Sequence, residues 1–431
     1  MPVMSMELAS YLAGKRWFGG KGREISHVQC VASLPLAHGA NWQILEVKYA
    51  DGATELYQVP RSRNDDALAD ANVRAQVFSQ LQASREIPGE STFTGGESIV
   101  TRIENFAAPP PATTSRLLAI EQSNSSVMFG EPGSASFLKV FRKLEGGINP
   151  DIEILSHLSR LETSVQVPKI YATIQLEYRG EMHALAVLLE MVANRGNAWE
   201  TALAEARSGD RFLAEAALLG KRTAQMHLAL AEETGDPAFG VVNSGADEWE
   251  RTKNRVESES IQVRDLLLTR MENLSSESAT LASCFLEEIP RQIERMKSLD
   301  DALTFPMTRV HGDYHLGQVL VTDDDFVIID FEGEPARPLS ERRLHRSPLI
   351  DVAGMLRSFH YAGCMAENFS WVRGVSKAFS DAYFLETTGS PILPDASATQ
   401  TLLEVFSWQK KLYEIRYELN NRPDWSWIPL K

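Results

Sequence analysis

The chain has 431 residues, 43 of them basic and 58 acidic, so its formal net charge is −15. At about 150 residues per folding unit, this length predicts two or three units. The composition is 43% hydrophobic and 23% charged, which is ordinary for a globular protein and excludes global disorder. The acidic balance argues against nucleic-acid and anionic-membrane partners, because both need a broad basic face.

The cysteines and the first residues of the chain indicate a cellular compartment. Cys30, Cys284 and Cys364 are far apart and form no CxxC pair, which excludes a disulfide framework or a zinc ribbon and fits a reducing compartment. Met1–Ala13 lacks a basic start followed by an apolar stretch, and no apolar run of the chain is long enough to span a bilayer. We therefore expect a cytoplasmic protein.

The first part of the chain has the period of short strands. Alternating apolar and polar residues predict strands after one opening helix, Glu7–Ala13, with a second helix at Ala67–Ser84. The polar stretch from Ile87 to Thr94 contains proline and glycine and is interpreted as a linker. The predicted strands are Ile25–Ser33, Asn41–Tyr49 and Thr54–Pro60.

A second group of strands begins near Ser115 and surrounds one helix, Pro150–Leu161. Carboxylates in the first turn of that helix suit its dipole. The predicted strands are Leu117–Gln122, Val127–Phe129, Ala135–Phe141, Lys169–Leu176 and Met182–Glu190.

From Trp199 onward, the pattern is that of long helices with one short hairpin between them. A β-rich half is therefore followed by an α-rich half. The predicted helices are Arg211–Ala231, Glu248–Asn273, Ser278–Ser298, Asp351–His360, Trp371–Tyr383 and Ala396–Asn421.

The stretch from Val310 to Glu334 concentrates the residues that phosphoryl transfer requires. Asp313 follows a glycine on a tight loop, and Gln318 comes five residues later. A predicted hairpin, whose strands flank Asp323–Asp325, returns Asp330 to the same loop. Phosphoryl transfer needs one carboxylate to orient the nucleophile and take its proton, and oxygen ligands to hold Mg²⁺. The spacing supplies both.

These residues resemble the catalytic and metal loops of the protein-kinase-like superfamily, in its small-molecule branch. His311-Gly-Asp313 is similar to that branch's H-G-D, and Asp330-Phe-Glu332 stands where kinases have D-F-G. Gln318 replaces the usual Asn, as in the actinobacterial maltokinases and their relatives. Further motifs of that family run from end to end of the chain: Arg16-Trp-Phe-Gly-Gly-Lys21, Asn149-Pro-Asp-Ile-Glu153, Gly333-Glu-Pro-Ala-Arg-Pro338, Asp351-Val-Ala-Gly-Met-Leu-Arg-Ser358 and Arg422-Pro-Asp-Trp425.

The resemblance implies an α+β protein with a bilobal eukaryotic-protein-kinase-like fold. It divides the chain into an N-terminal β-rich cap subdomain at residues 1–88, a β-sheet intermediate subdomain at 89–193 that binds ATP, and a mainly helical C-lobe at 194–431. Asp313 is implied as the catalytic base, and Gln318 and Asp330 as ligands of Mg²⁺. Asp351 is expected to cap its helix or to hold the catalytic loop in place.

The resemblance also assigns the ATP contacts to the β-rich half. Lys139 is implied to bind the nucleotide phosphates, with Glu153 orienting it, although a solvent-facing strand lysine fits the alternation equally well. Ser125 and Ser126, with Ser123, are expected in a hairpin that covers the phosphates. The backbone groups of Glu190 and Val192 are expected to face adenine.

The acceptor is expected at the C-terminal helix, where Gln409, Glu414 and Glu418 share one flank. Two carboxylates one turn apart repel each other, so a cation should offset them. Arg422, with Lys410 and Lys411 nearby, is one candidate, and the ammonium group of an amino sugar is the other.

Trp408 and Gln409 depart from the maltokinases and resemble the glucosamine-phosphorylating members of the family. The implied reaction converts ATP and glucosamine into ADP and glucosamine 6-phosphate. Maltose is the alternative acceptor and an aminoglycoside a distant one. Glu332 is expected to contact the metal or the sugar, or to act only on the local charge.

Overall fold

The computed structural model describes residues 2–62, 65–83, 87–91, 99–118, 124–161, 163–209, 212–335 and 337–431. The chain divides into two compact units, a sheet unit of residues 1–160, 167–193 and 337–340, and a helical unit of residues 161–166, 194–336 and 341–431. The break between Ala193 and Asn194 coincides with the predicted start of the C-lobe. Residues 119–122 of one predicted strand, and Ser123, lie outside the described residues.

The sheet unit contains three α-helices and twelve strands within its described residues. Their bounds are α1 Pro2–Ala13, β1 Ile25–Pro35, β2 Asn41–Tyr49, β3 Thr54–Ser62, β4 Asp65–Asp66, α2 Ala71–Ala83, β5 Ile87–Ser91, β6 Ile99–Asn105, β7 Ser115–Leu118, β8 Ser125–Phe129, β9 Ser136–Val140, β10 Lys143–Leu144, α3 Pro150–Leu158, β11 Ile170–Tyr178 and β12 Glu181–Glu190.

These strands form one continuous antiparallel sheet in the order β10-β3-β2-β1-β5-β6-β11-β12-β9-β8-β7, with β4 paired to β3. One apolar core runs from Trp42 and Ile44 of the predicted cap to Leu138 and Leu188 of the predicted intermediate subdomain. The cap and the intermediate subdomain therefore fold here as a single unit that shares a buried core.

The segment interpreted as a linker is a strand over residues 87–91. Its main chain pairs with β1 through Ala32 and Ser91 and with β6 through Ile87 and Thr101. The linker interpretation is wrong there because strand pairing uses main-chain groups, which proline and glycine disturb but do not abolish at short strands. Together with the pairing of β10 and β3, this strand joins the two predicted β-subdomains into one sheet.

The helix α3 has a well-defined start. The Asn149 side chain accepts the backbone N–H groups of Asp151 and Ile152, and Pro150 occupies the first turn. Asp151 and Glu153 add negative charge at the positive end of the helix dipole. The sequence signals for this helix therefore agree with the structure, and its first turn lies close to β9.

The helical unit contains long helices and two short β-pairs. Its elements, with α8 at the division between the units, are α4 Ala198–Ser208, α5 Leu213–Leu230, β13 Val242–Asn243, α6 Ala246–Arg270, α7 Ser276–Ser298, β14 Pro306–Met307, β15 Val319–Val321, β16 Phe326–Ile328, α8 Leu339–Arg342, α9 Leu349–Met365, α10 Phe369–Glu386, α11 Ala396–Asn421 and α12 Trp427–Leu430.

The predicted hairpin is present as β15 and β16, which pair Val319 with Ile328 and Val321 with Phe326. It places Gln318 at the start of one strand and Asp330 just beyond the end of the other. In the described part of the chain, no helix combines the length and the apolar character that crossing a bilayer requires.

Candidate active site

The loop that carries Asp313 is anchored by a buried carboxylate on α9. Asp351 is 1% exposed, and its Oδ2 and Oδ1 accept the backbone N–H groups of His311 at 2.7 Å and Gly312 at 2.9 Å. The structure confirms the loop-holding role expected for Asp351. It lies in the first turn of α9 and not at the cap, which is Pro348.

A buried hydrogen-bond chain supports this carboxylate. His227 Nε2 lies 3.1 Å from Asp351 Oδ2, and His227 Nδ1 lies 2.9 Å from the Tyr383 hydroxyl. Burial alone would raise the pKa of Asp351, but His227 and the Gly312 N–H outweigh it and leave that pKa below its ordinary value. Asp351 is therefore held as a charged anchor beneath the loop.

The same face of α9 brings two small residues against the loop. The Ser358 hydroxyl accepts the Leu316 N–H at 3.1 Å, and a Cβ on Gly354 would meet the Tyr314 carbonyl oxygen at 2.5 Å. Asp351, Gly354 and Ser358 recur at spacings of three and four, which is one helical face. This contact explains why the motif from Asp351 to Ser358 contains a glycine.

The predicted metal-binding pair is brought together. Gln318 Nε2 donates to Asp330 Oδ2 at 3.2 Å, and the Ile329 N–H donates to the Gln318 carbonyl at 3.0 Å. His311 Nε2 donates to the Ile329 carbonyl at 3.0 Å, which ties the loop to this strand. Asp330 has a φ of +68°, a conformation that L residues rarely adopt and that clusters at functional sites.

An amide and a carboxylate in contact form a donor set that suits a hard cation. Mg²⁺ prefers oxygen ligands and keeps part of its shell for water and phosphate oxygens. Gln318 and Asp330 supply one amide oxygen and one carboxylate from adjacent elements. The residues present therefore fit Mg²⁺.

A cavity of about 490 Å³ lies beside Asp313 in the helical unit. It is bounded by the catalytic loop, by the α9 face and by one flank of α11. Its polar lining residues include Asp313, His315, Ser358, Tyr361, Lys410, Tyr413, Glu414 and Glu418.

Arginines of the protein itself offset the two α11 carboxylates. Glu418 binds Arg422 through two parallel bonds, Nε to Oε2 at 2.9 Å and Nη2 to Oε1 at 2.6 Å, and Tyr361 donates to Oε1 at 3.2 Å. Burial raises the pKa of Glu418 despite Arg422 and Tyr361. Arg357 approaches Glu414 with Nε at 2.8 Å and Nη2 at 2.6 Å, both on Oε2. Arg422 is thus the partner that the sequence offered for Glu418, and Arg357 is one that it did not.

Gln409 differs from its expected position in the sugar site. Its amide donates to Glu259 Oε2 on α6 at 3.1 Å, and it is not among the residues that line the cavity. The neighbouring Trp408 is buried, stacks on Phe285 and donates to the Ser260 hydroxyl. The physical reason is helical phase, since α11 turns residues 408 and 409 toward α6 and residues 410, 413 and 414 toward the cavity.

The sequence analysis gave no role in this region to Arg357, Ser358 or Tyr361, and it named Lys410 only as a cation near the α11 carboxylates. Gly354, Ser358 and Tyr361 line the cavity at spacings of four and three along α9, so helical periodicity could have found them. Lys410 Nζ lies 3.2 Å from Asp313 Oδ1 across 97 residues of sequence. Nothing in the sequence indicates which carboxylate a lysine of α11 meets.

In the sheet unit, Lys139 is 7% exposed, which excludes the solvent-facing alternative. Its Nζ lies 3.4 Å from Asp151 Oδ2, and the Asp151 side chain is also buried. Asp151 stands two residues before Glu153 on α3, so the helix implied by the resemblance does supply a carboxylate to the strand lysine. The role of Glu153 stays a prediction.

The other predicted nucleotide residues lie at strand ends of the same unit. Ser125 and Ser126 open β8, where the Ser125 hydroxyl accepts Arg142 Nε at 2.8 Å and Ser126 is fully buried. Glu190 ends β12, where its N–H donates to the Lys169 carbonyl, and Val192 follows two residues later. Their contacts with a nucleotide stay predictions, as does the role of Glu332.

Comparison with known proteins gives two family matches. A model described as "Phosphotransferase enzyme family" matches residues 114–384, and a model described as "Maltokinase N-terminal cap domain" matches residues 11–85. The second match falls within the predicted cap.

Two curated relatives are named glucosamine kinase. The protein from Streptacidiphilus jiangxiensis is 25% identical over 425 residues, covering 94% of this chain and 88% of its own. The protein from Mycolicibacterium smegmatis is 25% identical over 342 residues, covering 75% of this chain and 79% of its own.

The structure is also similar to a solved glucosamine kinase in complex with glucosamine, ADP and inorganic phosphate. The TM-score is 0.71 at 20% identity, covering 98% of this chain and 97% of that one. A solved glucosamine kinase in crystal form B gives a TM-score of 0.73 at 20% identity, covering 97% of each chain. These matches confirm the predicted kinase-like fold.

Proposed function

Because the chain belongs to the phosphotransferase enzyme family, we propose that it is an ATP- and Mg²⁺-dependent glucosamine kinase. The observation that carries the proposal is one cavity of about 490 Å³, which is lined by Asp313 at the catalytic loop and by Glu414 and Glu418 of α11. A kinase needs its base and its acceptor site side by side. The names of the two curated relatives support glucosamine as the acceptor.

Asp313 is the group that takes the proton of the acceptor hydroxyl. As the proton moves to a carboxylate oxygen, the hydroxyl oxygen forms a bond to the γ-phosphorus, and the bond from that phosphorus to the bridging oxygen breaks to release ADP. Gln318 and Asp330 are the residues that would hold Mg²⁺, which neutralises phosphate charge when bound. The contacts of Asp351 with the loop keep the backbone next to Asp313 in place throughout.

The sheet unit supplies the remaining nucleotide contacts in this proposal. Lys139 neutralises phosphate charge, with Asp151 as its observed ion-pair partner and Glu153 on the same helix. We assign Ser125 and Ser126 to the hairpin that covers the phosphates, and the backbone groups of Glu190 and Val192 to adenine. ATP as donor and three free cysteines fit a cytoplasmic setting.

The charge around Glu414 supports an amino sugar. Two of the three guanidinium nitrogens of Arg357, Nε and Nη2, lie close to Glu414 Oε2, so among the described contacts Oε1 remains for a substrate group. An ammonium group is a suitable partner, since a charge-assisted hydrogen bond to a carboxylate is about twice as strong as a neutral one. Glu418 is less suited, because Arg422 and Tyr361 occupy both of its oxygens.

Maltose is the second candidate acceptor. The match of residues 11–85 to the maltokinase N-terminal cap domain favours it, since that family model is named after maltokinases. The cavity residues do not favour maltose, which carries no cation for Glu414 to bind.

The test is an assay of ADP formation with glucosamine, N-acetylglucosamine, glucose and maltose in parallel. We expect kcat/KM for glucosamine to exceed that for glucose by at least about tenfold, since one charge-assisted hydrogen bond contributes roughly 1.5–3 kcal/mol. N-acetylglucosamine also lacks the ammonium group and carries a bulkier acetamido group, so it should be no better than glucose. Turnover of maltose without turnover of glucosamine contradicts the proposed acceptor.

A further inference from the structure

Among the described residues, Lys410 is the cation that contacts the Asp313 carboxylate. Its ammonium lies 3.2 Å from Asp313 Oδ1, and both side chains line the acceptor cavity with about one fifth of their surface exposed. We propose that Lys410 is a positioning residue that holds the Asp313 carboxylate in its reactive orientation. The proposal rests on the proposed phosphoryl transfer at Asp313.

The anchoring of the loop leaves the Asp313 side chain to be fixed by something else. Asp351 binds the backbone of His311 and Gly312, and His311 Nδ1 accepts the Asp313 N–H at 3.4 Å. None of these bonds restricts rotation of the Asp313 carboxylate. The ion pair from Lys410 does so, because it binds one oxygen from a different helix.

This contact gives the two carboxylate oxygens of Asp313 different roles. Lys410 donates to Asp313 Oδ1, and among the described residues no side chain donates to Asp313 Oδ2. Oδ2 is therefore the oxygen left to accept the hydroxyl proton. Catalysis depends strongly on such orientation, since a misplacement of about 1 Å can cost on the order of 10²-fold in rate.

Lys410 is itself held in place and charged. Its ammonium lies 4.8 Å from the centroid of the Tyr413 ring, which attracts a cation. Burial alone would lower the pKa of Lys410, but Asp313, Glu414, Glu334 and Tyr413 face it and together raise that pKa. The side chain therefore carries a full positive charge at neutral pH and offers three N–H donors.

The next residue of α11 provides a matched control. Lys411 Nζ lies 5.0 Å from the centroid of the Phe285 ring and lines a separate cavity with Glu288 and Arg291. K411M makes the same change of side chain as K410M, one residue away on the same helix, and leaves the contact between Lys410 and Asp313 in place.

The experiment compares kcat and KM for K410M, K410R and K411M with those of the wild type. We expect K410M to lower kcat about 10²-fold, with KM for the sugar within about threefold, because Lys410 acts on the reacting carboxylate. K410R should recover part of the loss, since arginine also reaches a carboxylate. K411M should stay within about twofold of the wild type.

A double-mutant cycle with D313N decides whether Lys410 acts through Asp313. In the D313N background, adding K410M should cost no further rate, because the group that Lys410 positions is already disabled. A K410M kcat near that of the wild type, a K410R no better than K410M, or a loss that multiplies fully with that of D313N would each overturn the proposal. Thermal unfolding of each variant identifies any loss that comes from misfolding.

The acceptor assignment fails separately from this proposal. If the wild type phosphorylates maltose or glucose in place of glucosamine, the glucosamine assignment falls, and the same cycle is measured with the sugar that is used. The role of Lys410 is then decided by the kinetics of K410M, K410R and K411M, and by the cycle with D313N, measured with that sugar.

Discussion

Asp351 and Glu418 are both almost completely buried carboxylates of the helical unit, yet their partners differ in kind. Asp351 accepts two backbone N–H groups of the catalytic loop and a bond from the buried His227. Glu418 is bound by Arg422, whose side chain is nearly half exposed, and by the Tyr361 hydroxyl. The backbone of the catalytic loop is therefore fixed from within the core, whereas the acceptor cavity is arranged by long side chains on its rim.

This difference separates the reaction from the choice of substrate. Side chains of α11 that line the cavity can change without disturbing the anchoring of the loop, because Asp351, Gly354 and Ser358, which contact the loop, belong to α9. A family that keeps one chemistry and varies its acceptor can use such an arrangement. The predictions below test each side of the comparison.

The largest effect is expected at the loop, from D313N. The substitution removes the proton acceptor while keeping the size of the side chain, so kcat should fall by roughly 10³-fold. ATP binding should stay close to that of the wild type, because Asp313 acts on the acceptor. Steady-state kinetics and nucleotide titration measure the two quantities, and near-normal turnover by D313N would refute the assigned base.

A smaller effect on rate, with a large effect on stability, is expected from D351N. The amide cannot accept both loop N–H groups and the His227 bond as an anion does, so the free energy of unfolding should fall by about 3 kcal/mol. Denaturant unfolding measures the change. D381N, which alters an exposed carboxylate on α10 paired with Lys377, is the control and should change little.

D351N also tests how the stability of the protein depends on pH. The folded pKa of Asp351 is lowered, so its contribution to stability is fully present above the unfolded pKa of about 3.9 and is lost as the pH falls through the folded value. Wild type should therefore lose stability below about pH 4 more steeply than D351N. Equal acid slopes for the two proteins would show that Asp351 is not the charged anchor.

The smallest effect is expected in the acceptor cavity, from E414Q compared with E418Q. E414Q removes the charge next to the oxygen proposed for the substrate, and KM for glucosamine should rise about tenfold while KM for glucose hardly changes. E418Q should raise KM for glucosamine only about twofold, because Arg422 and Tyr361 occupy that carboxylate. Equal effects of both variants on both sugars would assign the two glutamates a purely structural role.

The sequence predicted those parts whose constraints are local. The loop of Asp313, the hairpin of β15 and β16, and the pairing of Gln318 with Asp330 come from one contiguous stretch, in which spacing determines geometry. Helix α3 was predicted with the help of its first-turn acids, Asp151 and Glu153.

Parts that depend on the packing of distant elements were not predictable in the same way. Helical spacing groups residues on a face but does not say which neighbour that face meets, so Gln409 was expected at the sugar and lies against Glu259. For the same reason, the contacts of Lys410 with Asp313 and of Arg357 with Glu414 were missed. The strand at residues 87–91 was missed because main-chain pairing leaves little signal in a short segment that contains proline and glycine.

The measurement that tests the central claim most directly is a competition between acceptors. Wild-type protein receives glucosamine and maltose at equal concentration with limiting ATP and Mg²⁺, and mass spectrometry quantifies the two sugar phosphates. The ratio of products equals the ratio of kcat/KM values, and we predict glucosamine phosphate in at least about tenfold excess. An excess of maltose phosphate would contradict the assignment of the acidic cavity beside Asp313 to an amino sugar.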